Sequence, residues 1–324
     1  MLGLLGVLGM LMTGVVASGL LVRPPEEGDD DSPPEAEDAP PPEMEDAALP
    51  EQIWDAGLDP AGVASLAGTS DLPPTAADAA SLSGGRGDDG LEGTAARDLM
   101  LGRQGEDQLN GAGGNDRIHA GADDDTALGG HGDDRIWGDA GDDTLCGQEG
   151  DDALYGGTGQ DTLIGGNGDD TLKGGEGDDW LAGGMGHDLM IAGPGQDTLD
   201  GDAGNDTLTG AFHAETGNAG NFLNGGEGDD VLRIGAGDIA TGGKGVDRFE
   251  LASNVQGQVA RIMDYDAAQD ELVVVYDAAG PAPVLSLAPG GVADEMVVLL
   301  DGKPLAEVAG AGGLTAGAIR LVAG

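Results

Sequence analysis

GDAGDDTLC GQEGDDALY GGTGQDTLI GGNGDDTLK GGEGDDWLA, residues 138–182, is five blocks of nine in one phase. The phase continues in both directions without a break, from Gly84 to Thr209, as fourteen such blocks. The sixth position of every block is Asp. The eighth is Leu, Ile or Met in all but one, where Ala127 stands. The first and fourth positions are nearly always Gly. Unstructured sequence rich in Asp and Gly does not hold a nine-residue phase over this length, so the stretch is one repeat architecture.

The chemistry of the nonamer predicts its shape. Its first six residues suit turns, because Gly reaches positive φ and lets backbones approach closely. The next three, such as Thr162, Leu163 and Ile164, suit a short strand whose middle residue alone points inward. Two nonamers then make one flattened coil, and coils stack at about 4.8 Å, the spacing of paired strands. The expected fold is all-β, a parallel β-roll (a β-solenoid) of about seven coils, on the order of 30 Å long. Leu145, Leu163, Leu181 and Leu199 stack on one inner face. Leu154, Leu172, Met190 and Leu208 stack on the other.

Such an interior is thin. One apolar side chain per nine residues buries too little surface to offset the ordering of nine residues. Stacking also sets each Asp near the Asp two blocks away, so like charges form ladders. A cation between the turns removes both difficulties. Carboxylates and turn carbonyls are hard oxygen ligands, which favour Ca²⁺ over softer metals. The repeats are therefore expected to be disordered without metal and folded with it.

The pattern Gly-Gly-x-Gly-x-Asp-x-apolar-x over residues 84–250 resembles the RTX (repeats-in-toxin) hemolysin-type calcium-binding nonapeptide repeat, whose fold is a parallel β-roll. The resemblance implies several Ca²⁺ ions between successive turns, held by the position-six Asp and by carbonyls of the glycine-rich turns. Carried onto this chain, the ligands are Asp89, Asp98, Asp107, Asp116, Asp125, Asp134, Asp143, Asp152, Asp161, Asp170, Asp179, Asp188, Asp197 and Asp206, with Asp230 and Asp247. Two blocks depart at position four, where Ala96 and Asp123 stand, and their turns are expected to be weak or distorted. The resemblance further implies an extracellular or cell-surface protein that meets the type I secretion machinery through an uncleaved C-terminal signal. Residues 261–266, followed by Asp270, are similar to the segment that caps such rolls.

Composition narrows the function classes. Lys and Arg number 13 against 61 Asp and Glu, a formal charge of -48, and aromatics are 3%. So acidic a chain repels nucleic acid and favours solubility and cation binding. Its single cysteine, Cys146, permits no disulfide within the chain and sits at a plain ninth position. No zinc-protease His-Glu-x-x-His, Gly-x-Ser-x-Gly elbow or phosphate loop is present. Paired carboxylates such as Asp169 and Asp170 recur as repeat units, so none marks an acid/base pair. Enzymes of the RTX type carry a catalytic domain ahead of the roll, where this chain has a spacer of about 60 residues, too few for one. No catalytic activity is expected.

The remaining segments divide into four regions. Residues 1–22 hold no charged side chain and are long enough for a membrane span. They read as an anchor, as a cleaved export signal, or as an internal apolar helix. Residues 23–83 open Pro-rich and acidic, an extended spacer, with a short helical part near Trp54. The roll occupies 84–250. Its register slips at 210–224, read as a pushed-out loop, and residues 234–241 are one short of a nonamer. From 251 to 324, strands are expected at 273–276, 296–300, 305–308 and 318–322, forming a small C-terminal β cap with an Asp301-Gly302 hairpin turn. Arg86-Gly87-Asp88 falls out of the repeat itself, and His119, His131, His187 and His213 read as solvated surface. Two functions remain open: a secreted or surface calcium-binding module that folds on meeting extracellular calcium, or a structural or adhesive surface protein contacting cells or glycans.

Overall fold

The computed structural model describes residues 79–210, 220–253, 258–278 and 281–324. The apolar segment 1–22, the acidic stretch and the short helical part expected near Trp54 lie outside these residues, as does most of the insertion at 210–224. Among the described residues there is strand and turn, and no helix.

The chain alternates between two sheets, one of twelve strands and one of thirteen. Thr162–Asn167 pairs in parallel with Thr144–Glu149 on one side and Trp180–Met185 on the other. The strand between, Thr171–Glu176, belongs to the opposite sheet and pairs with Ala153–Thr158 and Leu189–Ile191. One coil is thus two nonamers, and register partners such as Leu145, Leu163 and Leu181 stand 18 residues apart. This is the parallel β-roll expected from the period.

The strands are longer than the three residues the nonamer suggests. Most run for six, from position seven of one block to position three of the next, as in Thr162–Asn167. Glycines that read as turn chemistry are in the ladder, because the stacked coil offers their backbone groups a partner at every level. Position one is buried as fully as position eight, so each strand turns two small inward faces, Leu and Gly, to the interior. Leu145, Leu163, Leu181 and Leu199 from one sheet meet Leu154, Leu172, Met190 and Leu208 from the other, all fully buried.

Both ends depart from the repeat. The first strand is Ser81–Ser83, paired with Leu99–Leu101. At the other end Phe249 is fully buried, packs its ring 6.1 Å from Tyr265 and pairs with Leu272. Glu271–Tyr276 extends the twelve-stranded sheet and Arg320–Ala323 closes it. The thirteen-stranded sheet ends in an antiparallel meander of Leu285–Pro289, Glu295–Leu300 and Lys303–Ala309. Asp301 and Gly302 both take positive φ, 51° and 77°, which turns that hairpin. This is the small C-terminal β cap.

Candidate metal-binding edges of the roll

The turns between the sheets line two edges of the roll, and the glycines there serve two different needs. At position four, Gly168 has φ of 132°, and a Cβ would collide with the carbonyl of Gly150 one coil below. At position one, Gly165 has an ordinary φ but no room. A Cβ there would strike both Oδ2 of Asp170 and the carbonyl oxygen of Gly183. A carboxylate oxygen and a main-chain carbonyl of the next coil therefore face the same small space.

The position-six aspartates build continuous ladders. Oδ1 of Asp170 accepts the N–H of Asp152 at 2.7 Å, and the N–H of Asp170 donates to Oδ1 of Asp188 at 2.8 Å. One edge runs in this way from Asp98 through Asp116, Asp134, Asp152, Asp170, Asp188, Asp206 and Asp230 to Asp247. The other runs from Asp89 through Asp107, Asp125, Asp143, Asp161 and Asp179 to Asp197. All but Asp89 are buried.

The second carboxylate oxygen is left over. From Asp107 to Asp206, at every ninth residue, and again at Asp230, Oδ2 is buried and has no hydrogen-bond partner. Buried polar atoms are satisfied in the great majority of cases, so a periodic file of orphaned oxygens marks a place for a missing partner. Burial raises their pKa values accordingly. It pushes Asp143, Asp170, Asp197 and Asp206 up to about 7, against the pull of the N–H each accepts. Asp116, Asp125, Asp134, Asp152, Asp161, Asp188 and Asp247 rise to about 6 for the same leading reason. Charged neighbours on adjacent rungs add to the rise at most of them.

The residues fit a hard divalent cation. Carboxylate oxygens aimed at turn carbonyls are the donor set that Ca²⁺ takes. Among the described residues no three His, Cys, Asp or Glu side chains gather at one point. An ion held on these edges would draw much of its shell from main-chain carbonyls. Asp89 and Asp98 depart from the pattern. Oδ2 of Asp89 accepts the N–H of Gly85 at 2.6 Å, and Oδ2 of Asp98 accepts the N–H and the hydroxyl of Thr94, at 2.5 and 3.0 Å. Ala96 does not take the positive φ that glycine takes at position four of the central blocks. The Asp123 block keeps that turn, since Asp123 adopts φ of 82° in place of glycine.

Sequence reading missed several rungs. Asn221 occupies position six after the insertion, accepting the N–H of Asp197 at 2.8 Å, and Asp238 follows it in the short block. Asp270 ends the other ladder, accepting the N–H of Asp247 at 3.0 Å. Asp264 takes the N–H groups of Gly242 and Gly243, both at 2.9 Å. A position-five ladder also runs the opposite way, through Asp133, Asp151, Asp169, His187, Asn205 and Asp229. The available signal was Asp or Asn two residues before an apolar residue, which Asn221 and Asp238 both satisfy. His187 is thus part of a ladder, and His119 is stacked on Trp137, so neither is plain solvated surface.

The family described as RTX calcium-binding nonapeptide repeat (4 copies) matches residues 83–118, 110–145, 119–154, 147–181, 155–190 and 182–212. These residues are RTX calcium-binding nonapeptide repeats. The matches cover the file of orphaned oxygens from Asp107 to Asp206. No curated protein matches the chain in sequence. Among solved structures, the extracellular lipase LipA from Serratia marcescens aligns at 19% identity with a TM-score of 0.22. The alignment takes in 61% of this chain and 40% of the lipase, so the chain spans well under half of that protein.

Proposed function

We propose that the chain is a secreted or cell-surface protein whose RTX roll folds on binding extracellular calcium. The observation that carries this is the file of buried, unpartnered Oδ2 atoms. The ligands we assign are the position-six aspartates from Asp107 to Asp206, with Asp230 and Asp247. Asp89 and Asp98 belong to the same set but hold their second oxygens on their own turns, which makes them the weakest members.

Without a cation, each fold of the chain brings carboxylates of one sign together and buries them. The carboxylates respond by holding protons or by staying apart in an open chain. Bound calcium supplies the positive charge that lets these aspartates ionise while stacked. The turn carbonyls orient around the same space, and the Asp N–H to Oδ1 bonds fix the rung spacing. Because each turn faces two neighbours, closure of one coil favours the next. Extracellular sites of this type have Kd of about 10⁻⁴–10⁻³ M, so the repeats stay open in a cytosol and close outside. Type I secretion machinery suits an open, threadable chain, and residues 1–22 offer a tether to a membrane.

We assign binding rather than catalysis to the roll, since its carboxylates are equivalent along each edge and none is singled out. The test is a calcium titration of the chain followed by circular dichroism, with a chelator control. A cooperative rise of β signal at near-millimolar calcium is expected. A β signal that persists unchanged in chelator sinks the coupling.

A further inference from the structure

The few cations of this chain are not placed evenly. Toward the C-terminal end most are paired, Arg233 and Arg248 with Glu250, Arg320 with Glu271, Arg261 with Glu307 and Lys244 with Glu227, while Lys303 at the hairpin turn is not, among the described residues. Near the other end they are not. Among the described residues Arg97, Arg117 and Arg135 form no ion pair. Arg117 and Arg135 are register partners on adjacent strands of the twelve-stranded sheet, flanking the inward Ile118 and Ile136. Arg117 is partly exposed and Arg135 exposed, both on the outward side of the sheet.

An aromatic stack stands two residues further along the same strands. His119 and Trp137 lie 4.4 Å apart and 4° from parallel, and Trp137 and Tyr155 5.6 Å and 7°. Lys173 Nζ sits 5.5 Å over the Tyr155 ring. The rings spend their faces on each other and on this ammonium, so what remains outward is ring edge, the positive end of the aromatic quadrupole. Among the described residues the Trp137 indole N–H and the Tyr155 hydroxyl have no hydrogen-bond partner, yet neither is a buried orphan. On the outward positions of these strands, from Leu99 to Tyr155, the one carboxylate among the described residues is Asp139. Asp139 borders the strip, 3.4 Å from His119 Nδ1.

We propose that this strip is a docking surface for a linear acidic polysaccharide, whose carboxylate or sulfate groups pair with Arg117 and Arg135 while its hydroxyls accept from Trp137 and Tyr155. The two arginines are register partners on adjacent strands, whose backbones are spaced about 4.8 Å apart, so a chain lying along the roll axis meets them in succession. The net negative charge slows the approach of any polyanion, but exposed charges beyond about 8 Å are screened at physiological salt, so the local balance of the two arginines against Asp139 decides docking. Single-stranded nucleic acid fits less well, since bases need open aromatic faces and these faces are closed. A lipid surface fits less well, since half-buried rings on a flat sheet cannot insert.

The strip exists only on the closed roll, so the inference rests on the calcium-folded state. The full chain in millimolar calcium is applied to immobilised dextran sulfate and to neutral dextran, with circular dichroism recorded in the same buffer. Retention on dextran sulfate alone is expected. Arg117→Ser with Arg135→Ser is expected to weaken binding about tenfold with the β signal intact, and to remove about two charges from the salt dependence. Arg135→Lys, which keeps the charge but loses the two-pronged donor, is expected to weaken binding about threefold. Lys244→Ser, already engaged by Glu227, is expected to change nothing. No retention of a folded parent chain, equal retention on neutral dextran, or undiminished binding by both arginine variants overturns the proposal. Tighter binding of polyglutamate or oligothymidylate than of dextran sulfate assigns the strip to another partner and overturns it equally. Loss of the β signal in the parent chain fails the calcium reading instead, which keeps the two failures apart.

Discussion

Asp170 is one rung among many, and its two oxygens divide the work. Oδ1 holds the neighbouring coil through the Asp152 N–H, while Oδ2 waits for a partner. Asp170→Ala removes both, and is expected to lower the calcium stoichiometry locally and raise the calcium midpoint. Thr171→Ala, one residue on and half-buried, is expected to shift stability by less than about 0.5 kcal/mol. Isothermal titration calorimetry on the pair checks this, and equal losses from both argue against position six as the ligand. Asn221 offers the reverse experiment. Its Oδ1 keeps the ladder, but its Nδ2 is buried without a partner. Asn221→Asp restores an oxygen there, and is expected to raise the amount of calcium bound and to weaken the ion-free roll.

A turn joins two sheets through glycines whose neighbours are the carbonyls of other coils. Gly168→Ala asks an L-residue to hold φ of 132° and pushes a Cβ into the Gly150 carbonyl. The conformational strain alone costs about 1–3 kcal/mol. Calcium titration should show a higher midpoint and a shallower transition, because one turn no longer transmits closure to the next. Position two is more tolerant in kind: Asp139, Gln148 and Asp202 already hold φ of 74°, 86° and 65° there. On the strand side, Leu163→Ala empties a fully buried site and is expected to cost about 2–5 kcal/mol in thermal denaturation with calcium present. In a core one side chain thick, no second layer closes such a gap.

For the roll taken entire, the aspartate ladders dictate how stability depends on pH. Burial raises their folded values from 3.8 to about 6 or 7. An acid whose folded value is raised binds more protons folded than unfolded. Its favourable contribution is complete below the unfolded value and is lost as pH climbs through the folded one. The calcium-free roll is therefore expected to be most stable near pH 4 and to lose stability between about pH 4 and pH 7. Calcium affinity should run the other way and rise across the same window, since the ligands must first ionise. Circular dichroism at a series of pH values, in chelator and in calcium, reads both trends. Ion-free structure that grows with rising pH contradicts the burial of these carboxylates.

The nine-residue phase was enough to derive a two-block coil, the inward Leu, Ile and Met positions, and the position-six aspartates. Each is a local feature repeated until chance is excluded, and repetition makes a local pattern global. The hairpin at Asp301 and Gly302 was legible for the same local reason, a turn needing positive φ. Coils in contact settled the rest. Glycines that look like turn became strand because a neighbouring backbone stood ready to pair with them. Where the phase slips, ladder partners stand 24 residues apart at Asp206 and Asp230 and 17 apart at Asp230 and Asp247. Only stacking decides which rung follows which, and it admits Asn221, Asp238 and Asp270 to the ladders. The left-over Oδ2 atoms are likewise a property of packing. A carboxylate on an isolated nonamer keeps its water, and it is the closing of one coil on the next that strips the water away.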